Sequence, residues 1–463
     1  MYITFCPRIG AAALTALVPL SLVACAPTSV SPPSPTQAPL VSPSPRASLP
    51  LPSPTPCVST YAQPEMVLEF VPPANLAHWA FGDFNADGFG DILVTRGDWQ
   101  SPEDFGVDVL LGDDMGGLSM ATEAVFAGSI PRTQFPGEIV VSDFNGDGRP
   151  DVFIADSGDD RNPWPGYQNA LILSAPQGGL VNATANLPQQ SDSTHSATVA
   201  DIDNDGDTDI YVGNIYGGMR VPPQILLNDG TGRFTVAEGL LPSAQADLGR
   251  NKYTASLFAD VNNDGYPDLL LGADDFTVAS AVLINDGTGH FSLLSDAMPA
   301  KPFAPTDIAL DIASADLNGD NYQDLLISWT KGNPSYMGRY IQVLMNDHDG
   351  TFTDETQSRL PPPPYLEANW WSKFTELVDV DEDGDLDILA HVALYWAFAN
   401  QPVYLNDGAG HFAPSTSALP LLPNSLCALT DLDADGHRDL VCKGRGSDDT
   451  SERYYVGRRL ACP

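Results

Sequence analysis

Three observations in the 463-residue sequence predict an all-β fold, a seven-bladed β-propeller of four-stranded antiparallel blades. A short acidic segment occurs seven times, with its first aspartates 52 to 63 residues apart. An apolar run of strand length follows each segment, and a second turn signal lies later in most units. Repeats of this length that each carry several strands are typical of propellers and arrays.

The acidic segments share the pattern D-x-[DN]-x-D-[GN]-x-x-D. They are DFNADGFGD from Asp83, DFNGDGRPD from Asp143, DIDNDGDTD from Asp201, DVNNDGYPD from Asp260, DLNGDNYQD from Asp316, DVDEDGDLD from Asp379 and DLDADGHRD from Asp431. Oxygen atoms at positions 1, 3, 5 and 9, with the backbone carbonyl of position 7, suit calcium better than magnesium, which retains more of its water. Simple solvated turns give no reason to hold carboxylates in register, because like charges repel.

The sequence therefore predicts up to seven calcium sites, with side-chain ligands at four positions and a carbonyl ligand at the seventh. The predicted ligands are Asp83, Asn85, Asp87, Phe89, Asp91; Asp143, Asn145, Asp147, Arg149, Asp151; Asp201, Asp203, Asp205, Asp207, Asp209; Asp260, Asn262, Asp264, Tyr266, Asp268; Asp316, Asn318, Asp320, Tyr322, Asp324; Asp379, Asp381, Asp383, Asp385, Asp387; and Asp431, Asp433, Asp435, His437, Asp439. An EF-hand is excluded because position 12 is never a glutamate and a strand follows the loop.

The second turn signal occurs as LLNDGTGRF (226–234), LINDGTGHF (283–291), LMNDHDGTF (344–352) and YLNDGAGHF (404–412). Asn-Asp-Gly between apolar runs is a strong hairpin signal. Each unit is therefore predicted to have four strands, with the acidic loop between strands one and two and this turn between three and four. Both connections then lie on one face. In the fourth unit the predicted strands are 254–258, 268–272, 281–284 and 291–294.

These two motifs together resemble the FG-GAP family and the related VCBS repeat, found in integrin α-subunit heads and in many bacterial surface proteins. The resemblance covers residues 60–462. It implies a calcium-loop propeller that binds its partner on the face opposite the loops, where the connections between strands two and three and between successive units lie.

The two ends of the chain are predicted to close the ring. The seventh unit has three strands, near 426–429, 439–442 and 453–457, and Met66–Phe70 is predicted to supply its fourth. Cys427 and Cys442 flank the last acidic loop symmetrically, which predicts one disulfide. Cys57 and Cys462 are predicted to form another, beside the closing strand.

The N-terminus is predicted to be a lipoprotein signal peptide over residues 1–24, ending in Leu-Val-Ala before a lipidated Cys25. Ordinary cleavage after Ala26 is the alternative, and Pro27 disfavours it. Residues 25–56 would then be the lipidated cysteine and a Pro/Ser-rich stalk, and residues 57–463 the propeller. We expect attachment to a bacterial cell surface or outer membrane.

Composition limits the partners. The chain has 60 acidic and 21 basic residues and a net charge of −39, which excludes nucleic acid as a partner and restricts membrane contact to the lipid anchor. We expect a monomer that binds a protein or carbohydrate ligand. Among aromatic residues in the opposite-face connections, the candidate ligand residues are Trp99, Trp164, Trp370 and Trp371.

The leading functional hypothesis is a binding or adhesion module in which calcium is structural. The alternative is a polysaccharide-active enzyme of the lyase or sugar dehydratase type, although the sequence has no HExxH or GxSxG motif and no catalytic residue is predicted. A partnership with a haem or quinoprotein system has no CxxCH motif to support it. The tripeptide Arg96-Gly97-Asp98 matches the integrin-recognised sequence, which is weak evidence by itself.

Overall fold

The computed structural model describes seventeen segments of the chain. They are residues 60–72, 78–98, 101–159, 161, 163–176, 178–215, 221–243, 252–274, 278–302, 306–333, 335–361, 365–366, 371–393, 402–415, 418–422, 425–445 and 451–460. One compact unit extends from Pro56 to Pro463. Within the described residues there is no helix with the length and hydropathy that a membrane span requires.

The strands are short and follow one another along the whole described chain. The first eleven are β1 (Thr60–Tyr61), β2 (Glu65–Phe70), β3 (Trp79–Gly82), β4 (Asp91–Val94), β5 (Phe105–Gly106), β6 (Asp108–Gly112), β7 (Leu118–Met120), β8 (Arg132–Thr133), β9 (Pro136–Ser142), β10 (Asp151–Asp156) and β11 (Ala170–Ser174). The next eleven are β12 (Leu180–Asn182), β13 (Thr194–Ala200), β14 (Asp209–Asn214), β15 (Gln224–Asn228), β16 (Phe234–Ala237), β17 (Tyr253–Ala259), β18 (Asp268–Ala273), β19 (Ala281–Asn285), β20 (Phe291–Leu294), β21 (Ile308–Ala315) and β22 (Asp324–Gly332). The last eleven are β23 (Ser335–Asn346), β24 (Phe352–Asp354), β25 (Tyr365–Leu366), β26 (Trp371–Val378), β27 (Asp387–Ala393), β28 (Val403–Asn406), β29 (Phe412–Ser415), β30 (Ser425–Thr430), β31 (Asp439–Arg445), β32 (Glu452–Gly457) and β33 (Arg459–Leu460).

These strands form seven antiparallel blades, as the repeats predicted. Blades 1 to 7 are β3-β4-β6-β7, β9-β10-β11-β12, β13-β14-β15-β16, β17-β18-β19-β20, β21-β22-β23-β24, β26-β27-β28-β29 and β30-β31-β32-β2. The fourth blade agrees with its predicted strand bounds to within one residue. The prediction missed the short helices α1 (Thr122–Val125) and α2 (Thr356–Arg359) and the 3₁₀ turn Thr184–Asn186, which lie in the connections between blades.

The second strand of each blade is an apolar run because it is buried on both faces. In blades 1 to 4 every residue of this strand is buried. The buried side chains form a separate cluster at each blade-to-blade junction, so the described core consists of seven clusters arranged in sequence around the ring. The cluster between blades 7 and 1, which includes Ile92, Leu110 and Val441, completes the ring.

The N-terminal strand closes the last blade, as predicted. Strand β2 pairs with β32, from Glu65 opposite Val456 to Phe70 opposite Glu452. A disulfide joins Cys427 to Cys442, which lie opposite each other on β30 and β31. The shorter β1 pairs with β33, so the two ends of the described chain run side by side. Cys57 and Cys462 lie outside the described residues, and their bridge stays a prediction.

Candidate metal centres and the opposite face

The seven acidic loops share one backbone conformation, which the ninth-position aspartate fixes. Asp91 in blade 1 is fully buried and accepts N–H bonds from Phe84 at 2.8 Å and from Gly112, at the end of the third strand, at 2.9 Å. Equivalent bond pairs hold Asp151, Asp209, Asp268, Asp324 and Asp387. The loop is therefore tied to strand three before any ion binds.

Burial changes the acidity of these ninth-position carboxyls. It raises the pKa of Asp91, Asp324 and Asp439 to about 6, and the pKa of Asp209, Asp268 and Asp387 to about 7. The backbone N–H bonds act in the opposite direction, and the neighbouring loop carboxylates raise the pKa further. Each loop thus concentrates negative charge in a place that water solvates poorly.

The first aspartate caps the turn itself. Asp83 accepts N–H bonds from Asp87 at 3.1 Å and from Gly88 at 2.9 Å, and Asp201 does the same for Asp205 and Gly206. The fold-back requires a positive φ at position 6, where the pattern has glycine or asparagine, and Asn321 adopts it at 69° in blade 5. Position 4 also has a positive φ, as at Ala86 (63°), and the sequence pattern did not predict this.

Three loops bring carboxylate oxygens together. Among the described residues, three sets have oxygens within 4.8 Å of one another: Asp201, Asp203, Asp209; Asp379, Asp381, Asp387; and Asp431, Asp433, Asp439. They belong to blades 3, 6 and 7, whose third position is aspartate, and we name them the aspartate loops. At least one buried oxygen in each loop, Oδ1 of Asp203, Asp379 and Asp431, has no hydrogen-bond partner. Converging, unpartnered oxygens fit a cation of calcium's type.

The other four loops, in blades 1, 2, 4 and 5, have asparagine at position three, and we name them the asparagine loops. Asn85 donates its Nδ2 to Asp87 at 2.7 Å, and Asn262 does the same to Asp264 at 2.9 Å. Asn318 bonds Asp320 in the same way at 3.0 Å. In these three loops the amide therefore donates to the fifth-position carboxylate from within the loop, whereas Asn145 in blade 2 lies 3.3 Å from the hydroxyl of Ser174.

Two asparagine loops add a basic side chain. In blade 2, Arg149 contacts Asp147 at 2.7 Å, and the hydroxyl of Ser174 also donates to Asp147; the pKa of Asp147 is lowered because these bonds outweigh burial. In blade 5, the Nε2 atom of His348 lies 3.0 Å from Asp320. The His348 ring stacks on Tyr322 with centroids 4.3 Å apart. Arg149 therefore neutralises part of the charge of the blade 2 loop, and His348 gives Asp320 a hydrogen-bond partner in blade 5.

The Asn-Asp-Gly turns lie beside the acidic loops and connect neighbouring blades. Asn285 Nδ2 donates to the carbonyl of Pro267 in its own blade at 3.2 Å and to that of Ile202 in the preceding blade at 2.9 Å. The same pair of bonds is made by Asn228, Asn346 and Asn406. These asparagines, which we name the bridging asparagines, couple blades 2 to 6 through their loops. Sequence reasoning found the turn and missed the bridge, since the partner carbonyls are more than 80 residues away.

At position seven, the backbone N–H donates to the fifth-position aspartate in every loop. The distances lie between 2.8 and 3.1 Å for Phe89, Arg149, Asp207, Tyr266, Tyr322, Asp385 and His437. Of these, His437 also contacts Glu382 of the preceding loop, at 3.0 Å. The carbonyl role predicted for position seven stays a prediction.

The predicted ligand residues on the opposite face are only partly described. Trp164 is half-buried in the connection between β10 and β11. Trp371 is the first residue of β26, while Trp99 and Trp370 lie outside the described residues. Trp329 is a core residue, 2% exposed, whose indole donates to Gln342 at 2.9 Å.

The Arg96-Gly97-Asp98 tripeptide is not available for recognition. Arg96 is fully buried and forms ion pairs with Asp108 at 2.7 Å and with Glu452 of blade 7 at 2.9 Å. Its guanidinium lies 5.4 Å from the centre of the Phe70 ring on the closing strand. The arginine therefore stabilises the closure between blades 7 and 1, which rules out an integrin-binding role for the motif.

Comparisons with known proteins agree with the repeat pattern. A family model described as FG-GAP-like repeat matches residues 143–212 and 260–327. Integrin alpha-V of Gallus gallus is 28% identical over 254 residues, covering 52% of this chain and 22% of the integrin. Phosphatidylinositol-glycan-specific phospholipase D of Mus musculus is 25% identical over 166 residues, covering 32% of this chain and 20% of that protein. The chain matches only about a fifth of the length of these curated relatives.

A solved structure with a similar fold is an Agrocybe aegerita lectin described for its specific recognition of non-reducing terminal N-acetylglucosamine. The superposition covers 82% of this chain and 85% of the lectin, with a TM-score of 0.50 and 18% sequence identity. At this identity the likeness shows the fold alone.

Proposed function

The chain belongs to the FG-GAP repeat family of β-propellers, and we propose that it is a calcium-stabilised binding module for a protein or carbohydrate ligand. The observation that carries the calcium proposal is the convergence of carboxylate oxygens in the aspartate loops, with one buried, unpartnered oxygen in each. Such groups are costly to bury without a counter-charge.

In blade 3 the ion would be held by the carboxylates of Asp201, Asp203, Asp205 and Asp209 and by the carbonyl of Asp207. The corresponding residues in blades 6 and 7 would hold two more ions. The four asparagine loops offer one carboxylate fewer and would form sites of lower affinity. Together with the three aspartate loops they make seven sites. The ion supplies positive charge that lets the loop carboxylates remain ionised close together. Calcium is structural in this proposal.

The ligand is proposed to bind on the face opposite the calcium loops, where Trp99, Trp164, Trp370 and Trp371 are candidate contacts. The lectin with a similar fold recognises a sugar, which supports carbohydrate as one ligand class. The net charge of −39 disfavours nucleic acid and other polyanions.

The same proposal places the chain outside the cytoplasm, on a bacterial cell surface or outer membrane. The buried Cys427–Cys442 disulfide supports an oxidising compartment. Residues 1–24 would be removed, Cys25 would carry the lipid, and the proline-rich stretch before residue 57 would hold a monomeric propeller away from the bilayer.

Native mass spectrometry of the purified chain with added calcium tests the metal proposal. We expect three ions per chain to be retained at micromolar calcium and further ions at millimolar calcium. A chain that retains none, while folded by circular dichroism, contradicts the proposal.

Lipidation is tested separately, by labelling cells with a palmitate analogue. The label should enter the wild-type chain and be absent from Cys25→Ala. Equal labelling of both chains excludes Cys25 as the attachment site.

A further inference from the structure

On the face opposite the calcium loops, connections from blades 1 and 2 are joined by polar contacts. The Tyr167 hydroxyl donates to Asp104 at 2.7 Å, and Arg132 Nε contacts the other oxygen of the same carboxylate at 2.5 Å. Gln134 donates its side-chain amide to the carbonyl of Pro102. The bonds from Tyr167 and Arg132 outweigh burial and lower the pKa of Asp104. Segments more than 60 residues apart thus form one surface.

In this surface, residues 157–159, 161 and 163–167 belong to a connection that is held at both ends. The fully buried Asp156 accepts three backbone N–H bonds, from Gln134 at 2.7 Å, Phe135 at 2.8 Å and Gly158 at 2.9 Å. At the other end, Tyr167 and Asp192 exchange backbone bonds of 2.9 and 3.2 Å. The loop base is close-packed as well, since a Cβ on Gly158 would lie 2.3 Å from the carbonyl carbon of Gly166. An ordinary surface connection does not need this much support.

The supported loop presents an aromatic residue in an unfavourable backbone conformation. Trp164 has a φ of 51°, which costs about 1–2 kcal/mol for a residue with a bulky side chain. Its N–H donates to the carbonyl of Arg161 at 2.7 Å. The Arg161 guanidinium is 51% exposed and is held by both oxygens of Asp159 at 2.7 Å. Strain that is maintained at a half-buried aromatic residue in a surface connection supports a binding role.

We propose that Asp104, Arg132, Arg161, Trp164 and Tyr167, which we name the blade 1–2 patch, bind a neutral saccharide. The inference rests on the proposed function as a binding module. The indole offers an apolar surface for a sugar ring. In the Asp104–Arg132 and Asp159–Arg161 pairs, each side chain holds the other in place. The pairs present charged acceptors and donors side by side for neighbouring hydroxyl groups of the sugar.

The charge of the patch selects the ligand class. The Asp104–Arg132 and Asp159–Arg161 pairs are each neutral, whereas the chain as a whole carries −39. An anionic polysaccharide would be repelled by that field. A neutral sugar meets no such barrier and makes use of the paired polar groups.

The test uses the purified full-length chain with calcium, first on an array of neutral and acidic glycans and then by calorimetry with the strongest neutral binder. Trp164→Asn removes the ring, and asparagine accepts the positive φ, so the variant keeps its fold. Arg161→Gln breaks the Asp159 pair. Arg453→Gln is the control, because Arg453 forms an ion pair with Glu69 at 2.8 Å in blade 7, outside both the patch and the calcium loops.

We expect binding of a neutral saccharide by wild type, with a loss of about tenfold or more for Trp164→Asn and Arg161→Gln, and less than about twofold for Arg453→Gln. The melting temperature of Trp164→Asn should match or exceed that of wild type. No neutral-glycan binding by wild type, or equal binding by Trp164→Asn, overturns the inference.

The proposed function fails differently. A chain that binds calcium and a protein partner, but no sugar, disproves only the saccharide assignment. A chain that binds neither calcium nor any ligand disproves the binding-module proposal itself.

Discussion

The aspartate loops and the asparagine loops have the same backbone and differ in how their charge is balanced. In the asparagine loops of blades 1, 4 and 5 the third-position amide donates to the fifth-position carboxylate, as Asn85 does to Asp87, and in blade 2 Arg149 takes this role. In an aspartate loop this donor is replaced by another acceptor, and an oxygen such as Asp203 Oδ1 remains buried without a partner. Burial and neighbouring carboxylates raise the pKa of Asp203 and Asp381 accordingly.

The backbone of the loops and their need for a cation have separate causes. Backbone N–H bonds to the first and ninth aspartates build the loop in both classes, so loop shape does not depend on the ion. Excess charge does depend on it, and that excess is greatest in blades 3 and 6, where position seven is also aspartate. We therefore expect calcium affinity to be graded around the ring.

Chelation is the largest test of this difference. Removing calcium with EDTA should lower the melting temperature by about 10 °C or more, because three saturated sites each contribute roughly 4 kcal/mol at a thousandfold excess over Kd. Differential scanning calorimetry with and without EDTA measures it. An unchanged melting temperature would show that calcium does not stabilise this fold.

The bridging asparagines test whether the scaffold is independent of the metal. Asn228→Ala, beside an aspartate loop, and Asn285→Ala, beside an asparagine loop, each lose two amide bonds to buried carbonyls. Each should lower the free energy of unfolding by about 2–3 kcal/mol. Denaturant unfolding should give the same loss with calcium and with EDTA, and a loss confined to calcium would make the bridge part of the ion site.

Exchanging the third-position residue between the classes tests the charge argument directly. Asp203→Asn should weaken calcium binding in blade 3 and lower stability by about 1–2 kcal/mol in calcium. The same variant should be neutral or more stable in EDTA, because a repulsive charge is removed. Asn262→Asp in blade 4 is the reciprocal variant, with the opposite signs expected in thermal unfolding under both conditions. The same sign for both variants would contradict the grading.

The smallest effect concerns Asp192, a carboxyl away from the acidic loops. Its contribution to the pH dependence of stability must be known before any acid sensitivity is assigned to the loops. Burial raises the pKa of Asp192 to about 7, against hydrogen bonds from Asn214, Thr194 and Gln190 that lower it. Between about pH 4 and 7 the folded chain therefore holds a proton that the unfolded chain releases. Its contribution to stability is present at low pH and is lost as the pH rises through 7.

Asp192→Asn removes this dependence. Measured in EDTA, the stability of the variant relative to wild type should increase by about 1 kcal/mol or more between pH 4.5 and 8. A difference that stays constant over this range would mean that Asp192 does not titrate there.

The sequence predicted the parts of this molecule that depend on local pattern. The loop spacing, the strand bounds of blade 4 and the closing strand Met66–Phe70 follow from period, turn chemistry and one missing strand. The Cys427–Cys442 bridge follows from the symmetry of the two cysteines about a loop.

Features that no local residue preference signals were not predictable. The positive φ of Ala86 and Glu382 is imposed by the loop as a whole and is not favoured by those side chains. The added pairings β5–β8 and β25–β23 are too short to give a periodic signal. The burial of Arg96 depends on Glu452, which is 356 residues away, so a surface-exposed motif could not be told from a buried ion pair.

Closure of blade 7 by β2 also has a consequence for biogenesis. Arg453 and Glu69, which contact each other at 2.8 Å across this junction, are separated by 384 residues. At typical synthesis rates of roughly 5–20 residues per second, β2 waits some tens of seconds for its partner strand β32. A chain released before β32 is made leaves β2 without its partner and the edge of β31 uncovered, so we expect truncated products to be sensitive to proteolysis.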